Sequence, residues 1–308
     1  MTSSIEWGKD GEEILRGLDP AVVLAVIGDP VEHSLSPIFQ NAGLAAAGLK
    51  GQYVKIRVAP GEIQAALRGL AAMGLRGMNI TIPHKAEALK AVDEVSESAG
   101  RVGGVNTVVV DGGRLLGFST DGPGLVRAIR DEFYVDLKDL RVLLLGAGGG
   151  AGRAAAVQCA AEGCGRLVLA NRTVEKARAL AEELAPYFRS ERLEGPTERL
   201  AAISTEPAAL RAEIENVDLV INASSLGMRR TDPSPVPAEF LTPNLLVYDM
   251  VYSTGKSRLV LDAEAAGARA ANGLTMLLHQ GALSFELWFD RPAPISAMRS
   301  ALKKAAKL

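Results

Sequence analysis

The sequence predicts an α/β fold with two mainly parallel sheets. Three observations predict it. Short apolar runs alternate with helix-length segments along nearly the whole chain. One such run passes through a glycine-rich turn, near residue 146, directly into a helix. A second strand–helix series begins near residue 140, after a first has already ended in a hairpin.

The first series reads as strand Val22–Ile27, helix Ser36–Ala47, strand Gln52–Val58 and helix Glu62–Met73. Strand Gly77–Ile82 and a helix opening at Lys85–Val92 follow. Thr107–Val110 and Arg114–Phe118, separated by Asp111-Gly112-Gly113, read as a hairpin. Helix Gly122–Phe133 leads outward to the second series. There Val142–Leu145, Leu167–Ala170, Leu219–Ile221 and Leu246–Asp249 are strands, and Gly150–Glu162 and Val174–Leu184 are helices. The span 186–216 is less regular, with a strand or loop and then a helix over Ala208–Glu215. Asn272-Gly273 is the expected return, before helices Leu274–Phe289 and Ile295–Lys307. The expected layout is a first domain over 1–121, a second over 122–272, and C-terminal helices over 273–308 that rejoin the first.

Composition narrows the function classes. A chain of 308 residues can hold two cores, and 48% apolar with 23% charged residues is a globular balance. A net charge of −2 offers no basic surface for nucleic acid. No apolar run approaches the roughly 20 residues that cross a bilayer. The start, Met-Thr-Ser-Ser-Ile-Glu-Trp, lacks a secretion signal, so a cytoplasmic location is expected. Cys159 and Cys164 have no metal or redox spacing; both are expected on one helix, reduced and mostly buried.

Val142-Leu-Leu-Leu145 runs into Gly146-Ala147-Gly148-Gly149-Gly150-Ala151. This is a G-x-G-x-x-A pattern between a strand and a helix. Gly146 permits the tight turn, Gly148 lets a pyrophosphate approach the backbone, and Ala151 keeps helix and sheet close. Free N–H groups at the helix start then face the phosphate. A lone glycine string could be a flexible turn, but its strand–helix setting favours a dinucleotide site. The next strand ends in Asn171-Arg172-Thr173, where an NAD enzyme usually carries an acidic residue. Arg172 and Lys176 could grip a 2′-phosphate, with Thr173 as helix cap and phosphate-facing hydroxyl. Each charge-assisted bond is worth about 1.5–3 kcal/mol, so two give a preference for NADP of roughly a hundredfold or more. Arg172 and Lys176 could also be solvated helix charges, and Glu175 adds a nearby negative charge.

A bound dinucleotide implies hydride transfer, and an alcohol or ketone substrate then needs a proton carrier. His33, His84 and His279 are scattered and form no zinc ligand set. Lys85 is the candidate carrier. It follows Asn79-Ile80-Thr81-Ile82-Pro83-His84, at the C-terminal end of a strand, where open α/β sheets bind ligands. Asp121, in Ser119-Thr120-Asp121-Gly122, is the candidate carboxylate partner. Spacing alone also allows an ordinary lysine in a first helical turn and Asp121 as a helix cap.

Together these strings resemble the shikimate dehydrogenase family, from about Val22 to Trp288 and in the same order. The resemblance implies a Rossmann-like dinucleotide-binding domain plus a discontinuous α/β substrate-binding domain. It implies NADPH-dependent reduction of 3-dehydroshikimate to shikimate, with NADP as cofactor. In Gly28-Asp29-Pro30-Val31-Glu32-His33-Ser34-Leu35-Ser36-Pro37 it assigns Ser34 and Ser36 to the substrate carboxylate, although Ser36 could also cap the following helix. It assigns Asn79 and Thr81 to substrate binding and Lys85 to acid–base catalysis. Asn106, in Gly103-Gly104-Val105-Asn106-Thr107, is assigned to a ring hydroxyl, and Asp121 is the acidic partner. Tyr252 is implied to face substrate, and Gln280 to reach a hydroxyl from the C-terminal helices. Met250 and Gly273 are implied to border the nicotinamide. Glu97 aligns with a position sometimes assigned to the cofactor. A caged polyol acid suits such hydroxyl and amide groups, because analogues lacking a hydroxyl would leave them unpaired.

The chain departs from the family pattern at Ser119, His84, Gly104, the Tyr252-Ser253-Thr254 step, the long 186–216 stretch and an N-terminal extension. None of these touches Lys85, Asp121 or Arg172. Two alternatives remain: a broader quinate/shikimate dehydrogenase using NAD, and a non-catalytic dinucleotide-sensing regulator on the same scaffold. A small-molecule substrate, no nucleic-acid or membrane partner, and a monomer or homodimer are expected.

Overall fold

The computed structural model describes residues 4–188, 199–252 and 255–306. The chain opens with β1 (Ile5–Glu6), α1 (Lys9–Gly17), β2 (Val22–Gly28), α2 (Ser36–Ala46), β3 (Gln52–Arg57), α3 (Ile63–Ala72) and β4 (Gly77–Ile80). It continues with α4 (Lys85–Ala91), β5 (Glu94–Val95), α5 (Glu97–Val102), β6 (Thr107–Asp111), β7 (Arg114–Phe118) and α6 (Asp121–Phe133). Next come β8 (Arg141–Leu145), α7 (Gly150–Ala161), β9 (Arg166–Ala170), α8 (Val174–Phe188), β10 (Leu200–Ile203) and α9 (Pro207–Ile214). The last elements are β11 (Leu219–Asn222), β12 (Leu246–Asp249), α10 (Arg258–Ala265), β13 (Arg269–Asn272), α11 (Leu274–Phe289) and α12 (Ile295–Ala306).

The chain forms two units. One holds the residues up to Thr120 and those from Gln280 onward; the other is Asp121–His279. The second division falls inside α11.

The first unit has a seven-stranded sheet in the order β1-β3-β2-β4-β6-β7-β5. Strands β1 to β4 run parallel, and β6 joins antiparallel to β4 and to β7. Strand β2 is buried almost end to end, as expected for a central parallel strand covered on both faces. One face packs Ile27, Ile56, Ile63, Leu67 and Leu70; the other packs Leu24, Val26, Leu44, Phe285 and Trp288. The indole N–H of Trp288 donates to Val108 O at 2.9 Å, which pins α11 to the sheet.

The second unit has six parallel strands in the order β10-β9-β8-β11-β12-β13, the doubly wound Rossmann arrangement. Its core includes Leu143, Val168, Val220, Val247 and Leu259.

Several expectations need correction. Helix α7 ends at Ala161, so Cys164 lies beyond it, after Gly163 turns the backbone to φ +73°. Both cysteines are free and buried, and burial pushes the Cys164 thiol up to about 12. Helix α8 runs on to Phe188 and carries Pro186 in its last turn, where the missing N–H removes one i→i−4 bond near the helix end. The structure adds β1, α1, β5, α5, α10 and β13, short elements of two to nine residues that were not expected from sequence. The N-terminal extension is partly structured, since β1 pairs with β3. Residues 189–198 of the long 186–216 stretch, and Ser253 and Thr254, lie outside the described residues, as do Met1, Thr2, Ser3 and Lys307. Among the described residues, no helix is long and apolar enough to cross a membrane.

Candidate functional site

In the second unit the strand order reverses between β8 and β11, so the loops that follow these strands diverge. This is where open α/β sheets bind ligands. Gly146 follows β8 with φ +81°, and a Cβ there would lie 2.6 Å from Ser224 N on the loop after β11. Only glycine fits both constraints. Gly148, Gly149, Gly150 and Ala151 are exposed, while Ala147 is buried. Gly149 offers no side-chain cap to α7, so the first-turn N–H groups remain available to an anion.

The close helix–strand contact belongs to Gly152, not to Ala151. Gly152 is buried, and a Cβ on it would meet Gly146 O at 2.1 Å; Ala151 faces outward.

The end of β9 adjoins this loop. A Cβ on Gly148 would lie 3.0 Å from Asn171 Nδ2 and 3.0 Å from the Lys176 stem. Asn171 Nδ2 donates to Thr173 O at 2.9 Å and shapes the turn into α8. Arg172, Thr173 and Lys176 are exposed. Arg172 and Lys176 have no carboxylate within ion-pair reach among the described residues, while Glu175 lies 3.8 Å from Arg178. The loop and these two cations therefore fit a phosphorylated dinucleotide.

A buried polar cluster supports the opposite side of the same sheet end. Asp249, fully buried at the end of β12, accepts from Asn222 Nδ2 (2.9 Å), Val251 N (3.1 Å) and the Ser257 hydroxyl. Asn222 Oδ1 accepts from Ser224 N and Oγ. Gly273 N donates to Val251 O at 3.2 Å, which brings the Met250 and Gly273 segments together. Tyr252 remains 37% exposed, and desolvation of its hydroxyl, then the Asp121 charge, raises its phenol above the ordinary value. Asp121 itself is buried at the start of α6.

In the first unit, backbone bonds tie the β2–α2 loop to the segment after β4: Thr81 N donates to Ile27 O (2.8 Å) and Asp29 N to Ile82 O (3.0 Å). Ser34 and Ser36 lie on the first of these segments. Ser36 is the first residue of α2 and does not cap it; Ser34 Oγ instead accepts the Ser36 N–H at 3.2 Å. Lys85, half-buried, opens α4 after His84, and its carbonyl accepts from Val105 N at 2.9 Å. That bond sets Lys85 beside the Gly103–Thr107 segment.

Asn106 is 3% exposed. Its Oδ1 accepts from Thr120 N (2.8 Å), and its Nδ2 donates to Thr120 Oγ1 (2.9 Å) and reaches Gln280 Oε1 at 3.5 Å. Asn79 sits behind it. Its Oδ1 accepts from Tyr53 (2.8 Å), and its Nδ2 faces Ser284 Oγ (2.9 Å), Thr107 Oγ1 (3.1 Å) and Asn106 O (3.2 Å). An amide so engaged has little capacity left for a ligand, so Asn79 supports Asn106 from behind. His84 is buried and bonds Val58 O at 2.8 Å, a packing role. Glu97 lies exposed at the start of α5 and pairs with Arg101.

The chain matches known families along most of its length. Residues 26–108 match the shikimate dehydrogenase substrate binding domain. Residues 128–226 match the shikimate / quinate 5-dehydrogenase family, and residues 273–303 the shikimate 5′-dehydrogenase C-terminal domain. The NADP(+) shikimate dehydrogenase of Moorella thermoacetica is 42% identical over 92% of this chain and 93% of its own. The chain belongs to the shikimate dehydrogenase family. A shikimate dehydrogenase solved with NADP+ superposes with a TM-score of 0.83 at 34% identity, over 94% of this chain and 97% of that one. The Thermus thermophilus enzyme, solved with NADP(H) and shikimate, gives 0.79 at 35% identity, over 92% and 99%.

In this member of the shikimate dehydrogenase family, sequence reasoning missed the supporting residues: Tyr53, Ser284, Asn222, Asp249, Ser257 and Gly152. Asn222 and Asp249 had a usable signal, since both end parallel strands. Tyr53 and Ser284 had none, because their bonds to Asn79 join segments distant in the chain.

Proposed function

We propose that this protein is an NADP-dependent shikimate dehydrogenase, an alcohol oxidoreductase that reversibly reduces 3-dehydroshikimate to shikimate on the route to aromatic amino acids. The likeness to NADP(+) shikimate dehydrogenases along 92% of the chain carries this reading. Lys85, Asp121 and Arg172 supply the chemistry it needs.

When bound, NADPH supplies the hydride. Loop residues Gly146 to Ala151 and the start of α7 would hold its pyrophosphate, and Arg172, Thr173 and Lys176, shaped by Asn171, its 2′-phosphate. Met250 and Gly273 would border the nicotinamide. Ser34 and Ser36 bind the substrate carboxylate. Thr81, Asn106, Tyr252 and Gln280 bind its oxygens, with Asn79 holding Asn106 in place. The Lys85 ammonium stabilises and protonates the oxygen on which negative charge develops, and Asp121 shares in this proton transfer. The protein acts in the cytoplasm as a monomer or homodimer, with no membrane or nucleic-acid partner; its near-neutral charge balance supports the last of these.

Initial rates with shikimate or quinate, each with NADP or NAD, test the reading. The highest kcat/KM is expected for shikimate with NADP. Faster turnover of quinate with NAD would favour the broader enzyme, and no turnover at all would favour a regulator. Arg172→Ala is expected to lower kcat/KM for NADP at least about tenfold more than for NAD, the worth of one charged bond. Equal losses would show that Arg172 does not read the phosphate.

A further inference from the structure

Lys55 is a buried cation that none of the chemistry above uses. It lies on β3 and is 5% exposed. Its ammonium donates to Glu32 O at 2.6 Å, in the loop that carries Ser34 and Ser36. No carboxylate lies within ion-pair reach of it among the described residues. Arg57, two residues along the same strand, pairs with both Asp29 and Glu6. Glu32 is the negative group whose charge Lys55 feels. Its carboxylate, however, accepts from Ser4 Oγ and Val31 N, both at 3.1 Å. Burial accordingly lowers the Lys55 pKa from its ordinary value, with the Glu32 charge opposing.

The strand geometry sets what Lys55 faces. Residues two apart on a strand share a face, so Lys55 stands beside Tyr53. The Tyr53 hydroxyl meets both Asn79 and the Ser36 side chain. Lys55 is thus one step along from the Ser36 contact, beneath the same loop. That loop ends at the N-terminus of α2, where Leu35 offers no side-chain cap, so the helix end adds positive potential there. A buried ammonium without a counter-ion is costly, and an anion beside it relieves that cost.

We infer that Lys55 supplies the positive charge for the substrate carboxylate at the Ser34–Ser36 seat, and so selects an anionic ring acid over its neutral analogues. The two serines alone offer neutral donors, which bind an acid, an ester or an amide with less distinction. The inference rests on the proposed function, and on those serines holding the carboxylate.

The test compares wild type with Lys55→Met, Lys55→Gln and Lys55→Arg, using shikimate and its neutral methyl ester with NADP. Turnover of shikimate by the wild type tests the proposed function separately. Lys55→Met is expected to raise KM for shikimate roughly ten- to a hundredfold, more than it lowers kcat, as one charge-assisted contact is lost. The ratio of kcat/KM for acid over ester should fall at least about tenfold, by the same charged contact, and Lys55→Arg should restore much of it. Lys55→Gln keeps a donor for Glu32 O without the charge, so it should resemble Lys55→Met. An unchanged KM for shikimate in Lys55→Gln or Lys55→Met would overturn the inference. So would equal losses for acid and ester, which would leave Lys55 as a clamp on the loop only.

Discussion

Lys85→Ala is expected to lower kcat by roughly 10²–10⁴-fold, the usual contribution of a general acid–base group. NADPH affinity, read by fluorescence titration, should stay near normal, because the glycine loop and Arg172 belong to the other unit. Reduction needs a proton donor at the substrate oxygen, and an ammonium group can supply that proton. Asp121→Asn should also lower kcat. The double variant should lose less than the product of the single losses, because groups that act as a unit are not additive. The backbone bond from Val105 N to Lys85 O does not involve the Lys85 side chain, so this tie between α4 and the Gly103–Thr107 segment should persist in the variant. A correctly folded Lys85→Ala enzyme with nearly full kcat would rule out Lys85 as the proton carrier and leave Tyr252 or a bound water.

Asp249→Ala should be the most damaging of the supporting changes. The carboxylate satisfies three donors in a fully buried setting: Asn222 Nδ2, Val251 N and the Ser257 hydroxyl. Leaving a buried donor unpaired costs about 1–3 kcal/mol, so a loss of roughly 3 kcal/mol or more is expected. For a unit of this size that is about 6–12 °C in melting temperature. The variant should also show a raised KM for NADPH, since Asn222 and Val251 tie this cluster to the loops around Gly146 and Gly273. Thermal unfolding and steady-state kinetics check the two effects. Burial holds the Asp249 pKa above its ordinary value despite its three bonds. A raised folded-state value means that the stability it contributes is present below the unfolded pKa and is lost as pH rises through the folded one. Asp249→Asn should accordingly flatten any fall in stability between mildly acid and neutral pH. A melting temperature unchanged in Asp249→Ala would show that the cluster is not structural.

The sequence determined the features that depend on local chemistry. Strand–helix alternation defined the α/β class, because period and β-branched content act within one element. The Gly146 turn was legible because a strand, a glycine step and a helix start are neighbours in the chain. The absence of an acidic residue at Asn171-Arg172-Thr173 could be read directly. Lys85 and Asp121 stood out less by spacing than by resemblance to the shikimate dehydrogenase family. Tertiary structure decided the rest, because packing and burial depend on residues far apart in sequence. Gly152 rather than Ala151 lies against Gly146 O, a matter of which side of α7 faces the sheet. Asn79 reads as a ligand residue in its motif, yet Tyr53 and Ser284, 26 and 205 positions away, occupy its amide. Lys55 looks like any lysine on an amphipathic strand; only the loop folded over it makes it a buried charge with no carboxylate in ion-pair reach among the described residues.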